Sequence, residues 1–525
     1  MTGTNLASGA LAAVLLLSAC EAPQGPQRSA GQPERPAGAA TLAVQTMVVQ
    51  AQPSAERFPD AAPNVVKAVA DHPVSTFGAD VDTASYAVLR RMLREGRRPP
   101  EQAVRIEEMV NYFPYGHDAQ GGDGAPFRSF VAVAPTPWNP DTRLLHIAVA
   151  TPRDGKPWPP ANLVFLVDVS GSMLPPDRLP LVKDALRMLV DRLRAEDRVS
   201  IVTYAEGVRV ALEPTPGDDK ASILGAVDGL RAGGGTDGAG GLQAAYRLAE
   251  QSRRKDGVNR VVLATDGDFN VGLTDPKQLQ AFIAEKRRSG IYLSVLGVGL
   301  GNLNDALMQR LAQSGNGVAA YLDSLMEARK VLVEQLRSGV EPVADDVKLQ
   351  VEFNPRRISE YRLLGYETRA LTRQDFADEA ADAGEIGGGH AVTAIYEVTP
   401  VGSPAQLTEP LRYGASRPEA APAPGREEEL AFLRIRYKRP GGQRSELVER
   451  PITSADVAPT LAAASDDVRF SFAVAAFGQY LRRDPWLRDY GLGDIEALAQ
   501  AARGSDEDGW RAEFVQLVRL ASALR

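Results

Sequence analysis

The chain has 525 residues, 44% hydrophobic and 24% charged, a composition that belongs to folded domains and confines disorder to local stretches. Such a length predicts two to four units at about 100 to 200 residues each. Its 59 Lys and Arg against 67 Asp and Glu leave a net charge of -8, with no dense basic stripe interleaved with aromatics, so nucleic acid is not an expected partner. A single cysteine, Cys20, excludes an intrachain disulfide and a multi-cysteine metal site.

In chain order, residues 9–20 (GALAAVLLLSAC) form an apolar segment too short to span a bilayer stably and end in small residues just before the cysteine. Leu17-Ser18-Ala19-Cys20 resembles the signal of bacterial lipoproteins, although the leading MTGTN lacks the usual Lys or Arg. The resemblance implies cleavage before Cys20, diacylglycerol on its thiol and acylation of the new amino group. Several acyl chains make a stable anchor where one alone binds only marginally. Glu21 in place of Asp argues against inner-membrane retention by analogy with enteric sorting. The expected location is therefore the cell envelope, lipid-anchored at the periplasmic face of a Gram-negative outer membrane. Residues 21–62, rich in Pro, Ala, Gln and Gly, read as a disordered tether. A flexible coil of about 40 residues reaches roughly 35 Å. Nothing later approaches 18 consecutive apolar residues, so no second crossing is expected.

Residues 63–160 predict a small α+β region. Its parts are a short strand, a helix capped near Thr83 or Ser85 and stopped by Gly96 with Tyr86, Leu89, Met92 and Leu93 on one face, a second helix in RIEEMVNYF, and strands in RSFVAVAPTPW and RLLHIAVAT. Residues 161–340 carry the clearest pattern. Apolar runs LVFLVDVS, RVSIVTYA, NRVVLATDG and IYLSVLGVG alternate with helical segments, which predicts a doubly wound α/β domain with a mostly parallel sheet covered on both faces. GVRVAL fits an antiparallel edge strand, GVAAYL a last strand, and 324–338 a closing helix. From 341 to 525 the alternating stretches DVKLQVEFN, EYRLLGYETR, GHAVTAIYEVTP and LAFLRIRYKR predict an antiparallel β-rich domain that ends in helices over 465–523. The Pro-rich 401–428 reads as a loop.

Within the α/β domain, polar groups gather where strands end. In an open parallel sheet ligands bind beyond the carboxyl ends of the strands, near the point where strand order reverses. DVSGSM (168–173) occupies such an end. Extended chain places residues two apart on one side, so Asp168, Ser170 and Ser172 can converge. GGGTDG (233–238) presents Thr236, and ATDGDFN (264–270) presents Asp266 after an apolar run. All five groups are hard oxygen donors, which favours Mg2+, Ca2+ or Mn2+ over zinc or copper. Two carboxylates balance the charge of a divalent ion and leave coordination positions for water or an external ligand.

Asp168-x-Ser170-x-Ser172, then Thr236, then Asp266 resembles the metal-ion-dependent adhesion site of von Willebrand factor type A domains, complete in residue type and order. The resemblance implies a Rossmann-like fold. It also implies that Ser170, Ser172 and Thr236 hold a cation directly or through water, that Asp168 and Asp266 act largely through water, and that a partner's carboxylate supplies the missing ligand. The flanks PVSTFGADVDTASYAVLRRML, RIEEMVNYFPY and AGEIGGGHAVTAIYEV resemble the YfbK-like bacterial lipoproteins over roughly residues 65–523.

Other motifs have plainer readings. GGGTDG lacks the lysine of a phosphate loop, and GVGLGN (297–302) has Asn302 where a dinucleotide fingerprint needs glycine. DVDT (80–83) is similar to a phosphate-transfer DxDxT motif, but Ala84 stands at the last position and helix capping by Asp82 and Thr83 is the economical account. His72, His117, His146 and His390 are scattered, and no base accompanies Ser170. The expected function is thus a membrane-tethered binding protein, not an enzyme. The alternatives are a metal-assisted hydrolase, for which only Asp237 and Asp268 offer nearby acids, and a structural envelope protein.

Overall fold

The computed structural model describes residues 56–116, 125–151, 159–235, 240–267, 276–299, 301–335, 342–381, 383–409 and 426–524. Cys20 with its signal segment, most of the tether, His117, Thr236, Asp237, Asp268 and Asn270 lie outside them. No helix among the described residues is long and apolar enough to cross a membrane.

The chain opens with β1 (Lys67–Ala68), β2 (Val74–Gly78), α1 (Ala84–Arg94), α2 (Ile106–Asn111) and a hairpin of β3 (Arg128–Thr136) and β4 (Asn139–Ala150). The expected amphipathic face of α1, Tyr86, Leu89, Met92 and Leu93, is buried. The central segment follows with β5 (Ala161–Asp168), α3 (Leu179–Arg192), β6 (Arg198–Tyr204), β7 (Val208–Pro216), α4 (Lys220–Gly229) and α5 (Gly241–Gln251). It continues through β8 (Val258–Thr265), α6 (Pro276–Arg288), β9 (Tyr292–Val298), α7 (Asp305–Ser314), β10 (Ala319–Leu322) and α8 (Leu325–Ala328). After α8 the backbone widens into π-type turns over Arg329–Gln335, where a regular closing helix was expected. Lys330 is buried there and donates to the Tyr112 carbonyl.

The central strands form one sheet in the order β10-β9-β8-β5-β6-β7, parallel throughout except for the antiparallel edge β7. The apolar runs predict this arrangement because their residues are buried on both faces: every residue of β8 is buried, and all but the first of β5. Helices α3 and α4 and the turns after α8 pack on one face. The other is covered by α5, α6 and α7, and also by Ala84, Ala87, Val88 and Met92 of α1. A helix assigned by sequence to the N-terminal region therefore completes the α/β layer, because amphipathicity specifies which side a helix buries but not which sheet receives it.

The remaining strands are β11 (Pro342–Phe353), β12 (Ile358–Leu364), β13 (Ala370–Leu371), β14 (Gly384–Gly387), β15 (Ala391–Pro400), β16 (Glu429–Lys438) and β17 (Ser445–Thr453), followed by α9 (Asp466–Leu481), α10 (Leu492–Ala501) and α11 (Trp510–Ala523). The N-terminal region does not close a sheet of its own. Its strands join the C-terminal ones in two antiparallel sheets, β1-β12-β15-β4-β3 and β13-β2-β11-β16-β17, with β14 on β11. Their inner faces share one core that includes Phe77, Val131, Ile147, Leu349, Tyr396 and Leu433. Residues 63–160 and 341–525, read from sequence as separate units, thus build a single β-sandwich into which the α/β domain is inserted. The outer face of the first sheet carries α9, α10 and α11, with Leu144 and Ile395 packed against Phe472, Phe477 and Phe514.

Candidate functional site

Strand order reverses beside β5. The chain leaves β5 for β6 through α3 on one face and reaches β8, on β5's other side, through α5 on the opposite face. The crevice between the carboxyl ends of β5 and β8 is a switch point of the kind at which open α/β sheets bind ligands. Val167 pairs with Ala264, so Asp168 and Asp266 emerge from neighbouring strand ends.

Asp168 is fully buried. Its Oδ1 accepts from the Ser170 amide at 2.8 Å and its Oδ2 from the Tyr204 hydroxyl at 3.1 Å. Burial, and then the neighbouring Asp266, push its carboxyl above the usual range, against these hydrogen bonds. Ser170 Oγ, also buried, lies 3.0 Å from Ser172 Oγ, which is exposed. The glycine-rich loop is held alongside, with the Gly233 amide donating to the Val169 carbonyl at 2.8 Å and the Gly171 amide to the Gly234 carbonyl at 3.0 Å. A Cβ on Gly171 would stand 3.2 Å from that carbonyl, so glycine permits the close approach. Thr236 follows Gly234 by two positions and is outside the described residues.

Asp266 is buried, and its Oδ2 accepts from Arg178 Nη1. The same nitrogen donates to the Ser172 carbonyl at 2.9 Å, which links the two loops. Gly267 has φ +105° and passes so close to residues 302–304 that a Cβ would lie 2.5 Å from the Asn302 carbonyl oxygen. Sequence reasoning missed Arg178, Tyr204 and Asn302. Tyr204 ends an apolar run opposite Asp168, a position legible only once β5 and β6 are known to be neighbours.

Among the described residues the set is two carboxylates and two hydroxyls with no nitrogen or sulfur ligand, which fits a hard divalent cation. Ser172 is an exposed residue, so the donor set opens toward solvent.

DVDT has a different use. Thr83 makes no side-chain cap of α1. Asp82 instead accepts from the Ala319 amide at 2.9 Å and, with Asp80, from the Arg369 guanidinium at 2.9 to 3.0 Å. The capping account of these residues is corrected accordingly: the carboxylates tie α1's entry to β10 and to the C-terminal region. Asp80, Asp82 and Glu108 place carboxylate oxygens within 4.8 Å of one another, a spacing that could also hold a metal. Here, however, Arg369 and Arg105, the Ser85 amide and Gln309 Nε2 already occupy them. In GVGLGN, Gly299 and Gly301 adopt φ +79° and +89° as turn residues, and His146 is buried against Ser471.

The parallel sheet, its switch point and the polar set at that point define a von Willebrand factor type A domain, and the family model for this domain matches residues 162–335. A second von Willebrand factor model matches 52–146, and the model for the C-terminal part of the uncharacterized protein YfbK matches 338–524. Over 481 residues the chain is 44% identical to YfbK of Escherichia coli (strain K12), an alignment that covers 90% of this chain and 82% of that protein. The chain belongs to the YfbK family. It is also 27% identical over 203 residues to inter-alpha-trypsin inhibitor heavy chain H2 of Mesocricetus auratus, covering 37% of this chain and 21% of that one. Among solved structures, the von Willebrand factor type A protein from Catenulispora acidiphila matches at 16% identity with a TM-score of 0.43, over 76% of this chain and 91% of that chain.

Proposed function

We propose that this chain is a binding protein of the cell envelope that captures a partner's Asp or Glu carboxylate through a divalent cation held by Asp168, Ser170, Ser172, Thr236 and Asp266. The observation that carries it is the convergence of Asp168, Ser170 and Ser172 with Asp266 at the switch-point crevice, behind one exposed hydroxyl. Type A domains often hold a metal at this place and mediate protein–protein interactions, in accord with the match over 162–335. When bound, the cation supplies positive charge and open coordination positions for an anionic oxygen. The chain's own residues do the rest: Tyr204 and the Ser170 amide fix the orientation of Asp168, and Arg178 fixes that of Asp266. The ion is Mg2+, or Ca2+ or Mn2+ of the same hard class that oxygen donors bind.

Lipid attachment at Cys20 would hold the module at the envelope. Mass spectrometry of membrane-extracted protein is expected to show an acylated Cys20 as the first residue; an unmodified Cys20 with Met1 retained would remove the anchor. For the site, calorimetry is expected to detect Mg2+ or Mn2+ binding that Asp168→Ala and Ser170→Ala abolish while the fold persists. A pull-down from envelope extract should then yield a partner lost on chelation. Unchanged metal affinity in both variants would refute the site.

A further inference from the structure

Arg178 stands directly before α3, with its side chain largely buried among the metal loops. Among the described residues its guanidinium donates to Asp266 Oδ2, the Ser172 carbonyl and, at 3.2 Å, Asn302 Oδ1. The fold also makes room for it. Gly299 has φ +79°, and a Cβ there would stand 2.3 Å from Arg178 Nε and 2.6 Å from its Cγ. A side chain clamped by three loops, in a seat that only a glycine leaves open, is a built component of the site and not a surface arginine resting on a convenient carboxylate.

Its charge has a consequence. Among the described residues, Arg178 brings one positive charge to the buried carboxylates Asp168 and Asp266. A divalent cation held by these carboxylates would sit beside that charge. We propose that Arg178 is the built-in counter-charge of the metal site. It holds cation affinity down in the absence of an external anion and adds positive charge beside a bound cation, so that cation and partner carboxylate bind cooperatively. This rests on the metal-site reading above and adds a specificity-determining residue to it: an anionic ligand is preferred because it offsets the guanidinium as well as the cation. Even with the screening of bulk water, one unit charge a few ångströms away shifts a divalent cation's affinity by at least about tenfold, and partial burial enlarges the shift.

The test titrates Mn2+ into the intact protein by calorimetry and by electron paramagnetic resonance, in sodium chloride and in sodium acetate at matched ionic strength. Wild type is expected to bind Mn2+ more tightly in acetate. Arg178→Gln, which keeps a hydrogen-bonding head but no charge, is expected to bind Mn2+ on the order of tenfold tighter in chloride and to lose most of the acetate effect. Arg178→Lys, which keeps the charge, should stay near wild type, and circular dichroism checks that each variant is folded. Unchanged or weaker Mn2+ binding by folded Arg178→Gln would overturn the proposal while leaving the metal site standing, since a purely positioning arginine can only lose affinity when replaced. An absence of Mn2+ binding in wild type would overturn both. If Arg178→Gln does not fold, Arg178→Lys decides: an acetate effect like that of wild type supports the proposal, and its loss despite the retained charge overturns it.

Discussion

Two groups of buried carboxylates lie at opposite ends of a comparison. Asp80, Asp82 and Glu108 are closer to a metal cage by distance alone, yet the protein fills their coordination space with its own donors. Arg369 spans Asp80 and Asp82, Arg105 bridges Glu108 to Asp305, and backbone amides of Ser85 and Ala319 take further oxygens. Burial, and then Asp80, push Asp82 and Glu108 above the usual carboxylate range, as burial also does to Asp168. At the strand ends, by contrast, the described donors are the Ser170 amide and the Tyr204 hydroxyl on Asp168 and the Arg178 guanidinium on Asp266, beside the exposed Ser172. The difference teaches that carboxylate proximity marks a junction as readily as a site. What separates them is whether internal donors saturate the oxygens and whether one donor faces outward.

The largest effect should come from breaking the saturated cluster. Arg369→Met leaves Asp80 and Asp82 without their guanidinium and should cost about 3–5 kcal/mol in denaturant unfolding, as loss of one partner of a buried ion pair does. Metal affinity at the strand ends should not change. Next in size is the response to cation. Mn2+ at about 100 times its dissociation constant should stabilise the protein by about 2.7 kcal/mol. That increment should vanish in Asp168→Ala and survive in Glu108→Gln, and its loss in Glu108→Gln instead would invert the comparison. Gly267→Ala, at φ +105° against the Asn302 carbonyl, should cost about 1–3 kcal/mol of strain and weaken Mn2+ binding by moving Asp266.

A pH dependence separates the clusters further. Burial, and then Glu367, Asp80 and Glu108, push Glu107 up to about 8 from an ordinary value near 4.5. The folded state therefore holds this proton more tightly than the unfolded chain does, so the linked stability is fully present below about pH 4.5 and is lost as pH rises through about 8. Glu107→Gln should flatten the fall in urea midpoint over that window, and an unchanged slope would refute the assignment. Smallest of all should be the effect of Ser172→Ala on folding, within about 0.5 kcal/mol for an exposed residue, although cation affinity should drop measurably.

Much of the candidate site was legible because its residues sit where the pattern of strands changes to loops. Asp168 and Asp266 directly end apolar runs, and glycines mark the turns that bring Ser170 and Ser172 together. Arg178 was not legible, since nothing in LPPDRLP announces that a guanidinium folds back 88 positions along the chain to Asp266. DVDT was misread for a related reason. Asp and Thr before a helix are frequent caps, but Arg369, which takes these carboxylates, lies 287 to 289 positions away.

By itself, then, the sequence determined the alternation of buried strands and helices from 161 to 340, the antiparallel texture after it, and the oxygen donors at two strand ends. Periodicity and donor chemistry are local properties, and local properties survive without knowledge of neighbours. Only the tertiary structure decided that α1 covers the α/β sheet, that Thr76 and Gln350 meet across 274 positions in a shared sandwich, and that Arg178 sits between Ser172 and Asp266. Burial of an apolar face or a charge requires a partner, but the pattern along the chain records only the requirement. Which distant segment meets it is settled by packing.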